Sequence, residues 1–118
     1  MNDRDAEART WPDSLDALTA APESHRHLFE NDVTRVLEAR IGPGEMTQVH
    51  THRWPAVLYV LSLGHFVRRD AEGAVLVDTR GGGALPQSGA ALWSGPQPPH
   101  TLENVDTFEI RVISVELK

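Results

Sequence analysis

The sequence predicts an all-β domain, a sandwich or closed barrel, behind a short N-terminal arm. Three observations carry that prediction. Short runs rich in Val, Ile, Leu, Phe and Tyr recur from His27 to Leu117, separated by clusters of Gly, Pro, Asn and Asp. Roughly eight to ten such strands fit the chain, the spacing of an all-β fold. The stretch from Gly44 to Gly64 holds His50 and His52 one residue apart, then a bend at Trp54-Pro55, then the apolar run Val57 to Leu61. In a strand, side chains at i and i+2 share a face, so two imidazoles enter one space. Finally, 118 residues with a 40% apolar share make one folded domain.

The elements follow in order. Met1 to Arg9 is charged and polar, and is expected to be disordered or loosely attached. Pro12-Asp13-Ser14 starts a short helix, with Leu15 and Leu18 on one side and an end near Ala20-Ala21-Pro22. Trp11 is its candidate anchor. The arm is assigned to residues 1–24 and the barrel to residues 25–118. His27 to Glu30 reads as a short strand, Asn31-Asp32 as a turn, and Val33 to Ile41 as a longer strand. Gly42-Pro43-Gly44 turns into Thr47 to His52, and Val57 to Ser62 follows. His65 to Arg69 and Ala74 to Thr79 pair across the turn at residues 70–73. The glycine-rich segment 81–89 reads as a flexible linker or, less simply, a lid. Ala90 to Trp93 is a strand, residues 95–99 form a rigid bend that delivers His100, and Phe108 to Leu117 closes the fold.

Composition narrows the function. The net charge is -6, and the basic residues are nearly all Arg, with Lys118 the only lysine. An acidic balance argues against nucleic acid or an anionic membrane as partner. The absence of cysteine excludes disulfides, thiolate zinc sites and cysteine nucleophiles. With no apolar signal core and no run long enough to span a bilayer, the expected location is the cytoplasm. Any metal must bind through His, carboxylate or amide groups.

Two motifs in order give the chain a family resemblance. Gly44, His50, His52 and Gly64 fall in register with a pattern of Gly, His-x-His, Glu and Gly. Gly89, His100 and Asn104 fall in register with a second pattern, although Gly95 and Gln97 stand at its Pro and Gly positions. The sequence thus resembles the small single-domain cupins from about Val33 to Lys118. That resemblance implies a double-stranded β-helix, a jelly-roll barrel closed by hairpins, and a homodimer. It also implies His50, His52 and His100 as metal ligands. The motif Glu falls at Val57, so a carboxylate ligand is missing.

Three neutral imidazoles leave the ion's double positive charge in place and up to three adjacent positions open. Such a site resembles three-histidine iron cupins that act as dioxygenases. The implied cofactor is a divalent transition metal, iron first, with Zn, Ni, Mn or Cu as alternatives. The implied activity is dioxygenase-like, on a small enolisable or oxygen-rich molecule. Isomerase or lyase chemistry by a Lewis acid is the alternative, followed by a cupin that binds a small ligand without chemistry or is purely structural. Strand alternation adds Gln48 beside the histidines, as a candidate fourth ligand or substrate-orienting group, and Tyr59 beside Val57, as a candidate substrate-orienting or proton-donating group. Trp93, Phe108 and Arg111 are candidate substrate contacts, Arg111 for a carboxylate. The plainer readings are a core tyrosine for Tyr59, an ion-paired strand residue for Arg111 and a turn residue for Asn104. His25 and His27 form a second His-x-His, read as solvent-exposed, and His65 is read as a surface or edge residue.

Overall fold

The computed structural model describes residues 3–118. Its nine strands are β1 (His25–Glu30), β2 (Thr34–Ile41), β3 (His50–His52), β4 (Ala56–Ser62), β5 (Phe66–Asp70), β6 (Val75–Asp78), β7 (Ala91–Ser94), β8 (Gln97–Asn104) and β9 (Ile110–Leu117). They form two antiparallel sheets. The first runs β1-β2-β9-β4-β7 and the second β3-β8-β5-β6. This is the predicted all-β double-stranded barrel. Among the described residues, no helix is long and apolar enough to cross a membrane.

Alternation sets the inner faces. Ala39 and Ile41 on β2, Ala56, Leu58 and Val60 on β4, and Ile110, Val112 and Ser114 on β9 all face one cavity between the sheets. From the second sheet His50, His52, Phe66, Arg68, His100 and Leu102 face the same space. The cavity measures about 440 Å³, so the barrel is hollow where a filled sandwich would place its core. Residues 82–86 also line it. The glycine-rich segment therefore supplies part of the cavity wall and is not a plain linker.

The motif glycines have backbone reasons. Gly44 and Gly89 take φ of 76° and 90°, which side chains rarely adopt. A Cβ on Gly64 would sit 2.7 Å from the Asp106 side chain, whose Oδ2 accepts from the His65 amide. Asn104 is fully buried; its Nδ2 donates to the carbonyls of Ile41 and Phe108, and its Oδ1 accepts from the Asp106 amide. It thus ties the ends of β2 and β8 to the turn before β9, a wider structural role than bonding its own backbone.

Two expected features differ. The segment Thr47 to Val49 is not strand, Met46 before it forms only an isolated bridge, and β3 contains only three residues. Residues 97–99 are not a bend: β8 begins at Gln97 and carries Pro98 and Pro99 within it. Proline cannot donate in a ladder, and the β3–β8 pairing shifts at this point, between His50↔His100 and His52↔Gln97.

The described part of the arm packs on the outside of the barrel, against β3. It forms α1 (Asp3–Ala8), a 3₁₀ turn (Asp13–Leu15) and α2 (Ala17–Ala20). Asp16 caps α2 by accepting from the Leu18 amide. Ala8, Trp11, Ala17 and Ala21 are buried. Asp16 also bridges Thr51 in parallel, which seats the arm directly on β3. Where residues 1–9 were expected to be disordered or loosely attached, Asp3–Ala8 forms the helix α1; Met1 and Asn2 lie outside the described residues. The apolar contacts of Ala8 and Trp11 are what the charged composition did not reveal.

Candidate metal centre

Four of the six histidines meet at one end of the cavity. His50 and His100 are paired across β3 and β8, with ring centroids 4.4 Å apart. His52 lies 5.0 Å from His50 and 5.8 Å from His100. His25, from the first sheet, closes the group at 4.6 Å from His50 and 5.3 Å from His52. One ring nitrogen each from His25, His50 and His52 lies within 4.8 Å of the others. The reading of His25 as solvent-exposed is therefore wrong: it is 7% exposed. His27, its partner in the motif, is on the surface and bonds Glu30 at 3.0 Å.

Each ring is held from behind. The Nδ1 of His25 lies 3.0 Å from the Ala21 carbonyl, that of His50 2.8 Å from Gln48, and that of His100 2.7 Å from Pro98. The Nδ1 of His52 faces the Glu116 carboxylate at 3.4 Å. Carbonyls and carboxylates only accept, so Nδ1 carries the proton and Nε2 is left with its lone pair. Metal-binding histidines are oriented by this kind of contact.

The rings are also kept neutral. Burial lowers the pKa of His25 to about 3, and the neighbouring His52 and His50 rings add to the effect. Burial and then His50 bring His52 to about 3. Burial, His50 and His52 bring His100 to about 2, and burial also lowers His50. Buried neutral imidazoles sharing one space, each with an uncommitted lone pair, repel one another and lack a donor. A divalent ion supplies what they lack, so the donor set fits a metal.

Behind His52 runs a chain of buried charges. Glu116 is fully buried and accepts from Arg35 Nε; Arg35 in turn holds Asp16 with two hydrogen bonds of 2.9 and 2.8 Å. Arg35 also lies over the Trp54 ring at 4.9 Å. Burial raises the pKa of Glu116, against the pull of Arg35. The arm, through Asp16, is thereby linked to His52.

The motif position without its Glu is resolved by the β4 alternation. Val57 is 37% exposed and on the outer face, whereas Ala56 lines the cavity. Ala56 stands opposite Glu116 on β9. A carboxylate is thus present one strand away, placed to orient His52.

The other site expectations meet the same geometry. Tyr59 shares the outer face with Val57 and is 45% exposed. Gln48 is exposed and outside the cavity; Thr47 faces inward instead, because the chain leaves the strand before β3. Trp93 and Phe108 are exposed, at 65% and 46%. Arg111 pairs with Glu38 at 2.8 Å on the outer side of β9, since Ile110, Val112 and Ser114 take the inner one. None of these five side chains lines the cavity. His65 is half-buried against Thr79. Arg68, Glu116, Arg35 and Trp54 went unassigned in the sequence. The second His-x-His was the signal available for His25; nothing comparable marked the others.

No family model and no curated protein matches the sequence. Solved structures do. A cupin domain from Bordetella pertussis Tohama I superposes with a TM-score of 0.63 at 20% identity, over 80% of this chain and 91% of that one. The chain has the cupin fold. An RmlC-like cupin with a double-stranded β-helix from Methanocaldococcus jannaschii matches this chain with a TM-score of 0.55 at 10% identity, over 79% and 77% of the two chains. The polyketide cyclase RemF from Streptomyces resistomycificus matches with a TM-score of 0.51 at 22% identity, over 79% of this chain and 63% of that one. In this cupin barrel the histidine cluster is a candidate metal centre at the end of an apolar cavity.

Proposed function

We propose that this cupin is a metal-dependent enzyme in which His25, His50, His52 and His100 hold one divalent first-row ion beside a bound small molecule. The convergence of four neutral imidazoles supports this reading most directly: each is fixed through Nδ1, ring nitrogens of His25, His50 and His52 lie within 4.8 Å of one another, and the His100 ring lies beside His50 at 4.4 Å. A bound ion would supply a Lewis acid for an enolisable carbonyl, and iron would add redox chemistry with dioxygen. The fourth imidazole reduces the open positions from three to two. The apolar wall of Leu58, Val60, Leu92 and Val112 excludes water and packs the body of the substrate. Glu116 and the backbone carbonyls hold the rings in one tautomer throughout.

Oxygen insertion on a small enolisable or oxygen-rich molecule is the leading chemistry. Isomerase, lyase or cyclase chemistry is the second reading, favoured by a donor set that leaves the full double charge on the ion. The cyclase sharing this fold is consistent with it. A homodimer is part of the proposal, supported by Val57, Tyr59 and Trp93 exposed together beside the outer strand β7; sedimentation tests it.

The test is elemental analysis of untagged protein beside a His50→Ala, His100→Ala double variant. Near-stoichiometric metal in the wild type and its loss in the variant are expected. Protein that stays metal-free after reconstitution with iron, nickel, zinc and manganese would overturn the reading. Iron directs the search to oxygen consumption with diketones and enols, whereas zinc, nickel or manganese directs it to isomerisation and cyclisation.

A further inference from the structure

Arg68 is a cation inside the cavity, and among the described residues it has no ion-pair partner; Asp78, which lines the same cavity, is held by Arg80 at 2.9 Å. It lies on β5 opposite Leu102 of β8, and both line the cavity. Asp70, two residues on, stands opposite His100, so Arg68 is the diagonal neighbour of His100. That relation puts the two Cβ atoms about 7 Å apart. The adjacent Arg69 bonds Glu103 at 2.8 Å, and Arg35 holds two carboxylates. Arg68 has neither among the described residues: its Nε is buried without a hydrogen-bond partner, and its guanidinium lies over the Phe66 ring at 6.0 Å. Burial lowers its pKa, yet a guanidinium stays charged in a protein. A charge held among Leu, Val and Phe side chains is costly unless something pairs with it.

We propose that Arg68 selects the ligand of this cavity, a small carboxylate with an apolar body, by pairing with its anionic end. The inference rests on reading the cavity as the ligand site of a metal cupin. The planar fork suits a carboxylate bidentately. The cavity volume and its apolar wall suit an arene-sized body. The remaining end of such a molecule points toward the histidines, one diagonal away.

The probe pair is 1-naphthoate and its neutral counterpart 1-naphthamide, titrated calorimetrically into metal-free and zinc-loaded protein. Wild type is expected to bind naphthoate at least about tenfold more tightly than naphthamide in both forms, the worth of one charged hydrogen-bonded contact. Arg68→Met removes that preference, keeps naphthamide affinity within about twofold and keeps the metal content of wild type. Arg68→Lys, which restores a charge without the fork, recovers part of the preference. Equal affinities in wild type, no binding of either probe, or an equal loss of both in Arg68→Met would each overturn the proposal. Failure to bind zinc with the preference intact would sink the metal reading alone, and zinc binding without the preference would sink this one alone.

Discussion

His25 and His27 on β1 present the same three-residue pattern as His50 and His52 on β3, yet only one of the two pairs enters the cavity whole. On β3 both rings point inward, because the strand lies between the arm and β8. On β1 burial ends at the first residue: His25 is 7% exposed, and the rest of the strand is exposed. The difference lies in what covers each strand. β1 is the outer strand of its sheet, and its ladder with β2 shifts between His27 and Phe29. The arm ends over His25, where Ala21 accepts from its Nδ1, and goes no further. A His-x-His pattern places two rings on one side of a strand; the packing above it decides how many become donors.

The sharpest way to break this comparison is to exchange the fates of the two motifs. His25→Ala is expected to lose most of its metal on dialysis, as His50→Ala does, whereas His27→Ala keeps a wild-type content. Elemental analysis of the three variants checks this, and a metal-replete His25→Ala would return the site to three histidines.

The next effect concerns the carboxylate behind His52. Glu116→Ala leaves Arg35 buried with one partner fewer, and breaking such a buried pair costs about 3–5 kcal/mol in urea unfolding. Glu116→Gln, which keeps the shape, is expected to weaken metal affinity about tenfold or more, the usual effect of losing a group that orients a ligand. A Glu116→Gln variant with unchanged metal affinity would assign the carboxylate to folding alone.

Acid sensitivity comes third. The metal-free histidines titrate near 6.5 when unfolded, while His25 and His52 are held at about 3 and His100 at about 2 when folded. Between these values the unfolded chain binds more protons, so stability is full above pH about 6.5 and falls as the pH drops toward 3. Urea melts of metal-free protein across that range should show the decline, and His25→Ala should make it shallower. The smallest effect is expected on the outer face, where Tyr59→Phe should shift stability by less than about 0.5 kcal/mol and leave metal content unchanged.

Much of this was legible beforehand. The strand and turn signals mark most elements within one or two residues: the expected Val57 to Ser62 is β4 from Ala56, and the expected Phe108 to Leu117 is β9 from Ile110. The motif spacing brought His50, His52 and His100 together, because the two motifs lie on neighbouring strands. Tyr59, Trp93 and Arg111 were misplaced for a common reason, whereas Phe108 lies in the bend before β9 and not on the strand expected to carry it. Alternation divides a strand into two faces without saying which is inner when both carry apolar residues. On β4, Val57 and Tyr59 resemble Leu58 and Val60 in hydrophobicity, and only the opposite sheet distinguishes them.

The sequence by itself determined the alternating strands, the turns that reverse them and the pairing of two imidazoles on one side of β3, all of which are local. Only the tertiary structure decided that His25 joins them, that Glu116 supports His52, and that Arg68 stands in the cavity without an ion-pair partner among the described residues. Those relations join residues 25 or more positions apart, across two sheets and an arm. Which charged groups become neighbours, and which are left without one, is a property of the packed barrel and not of any stretch of chain.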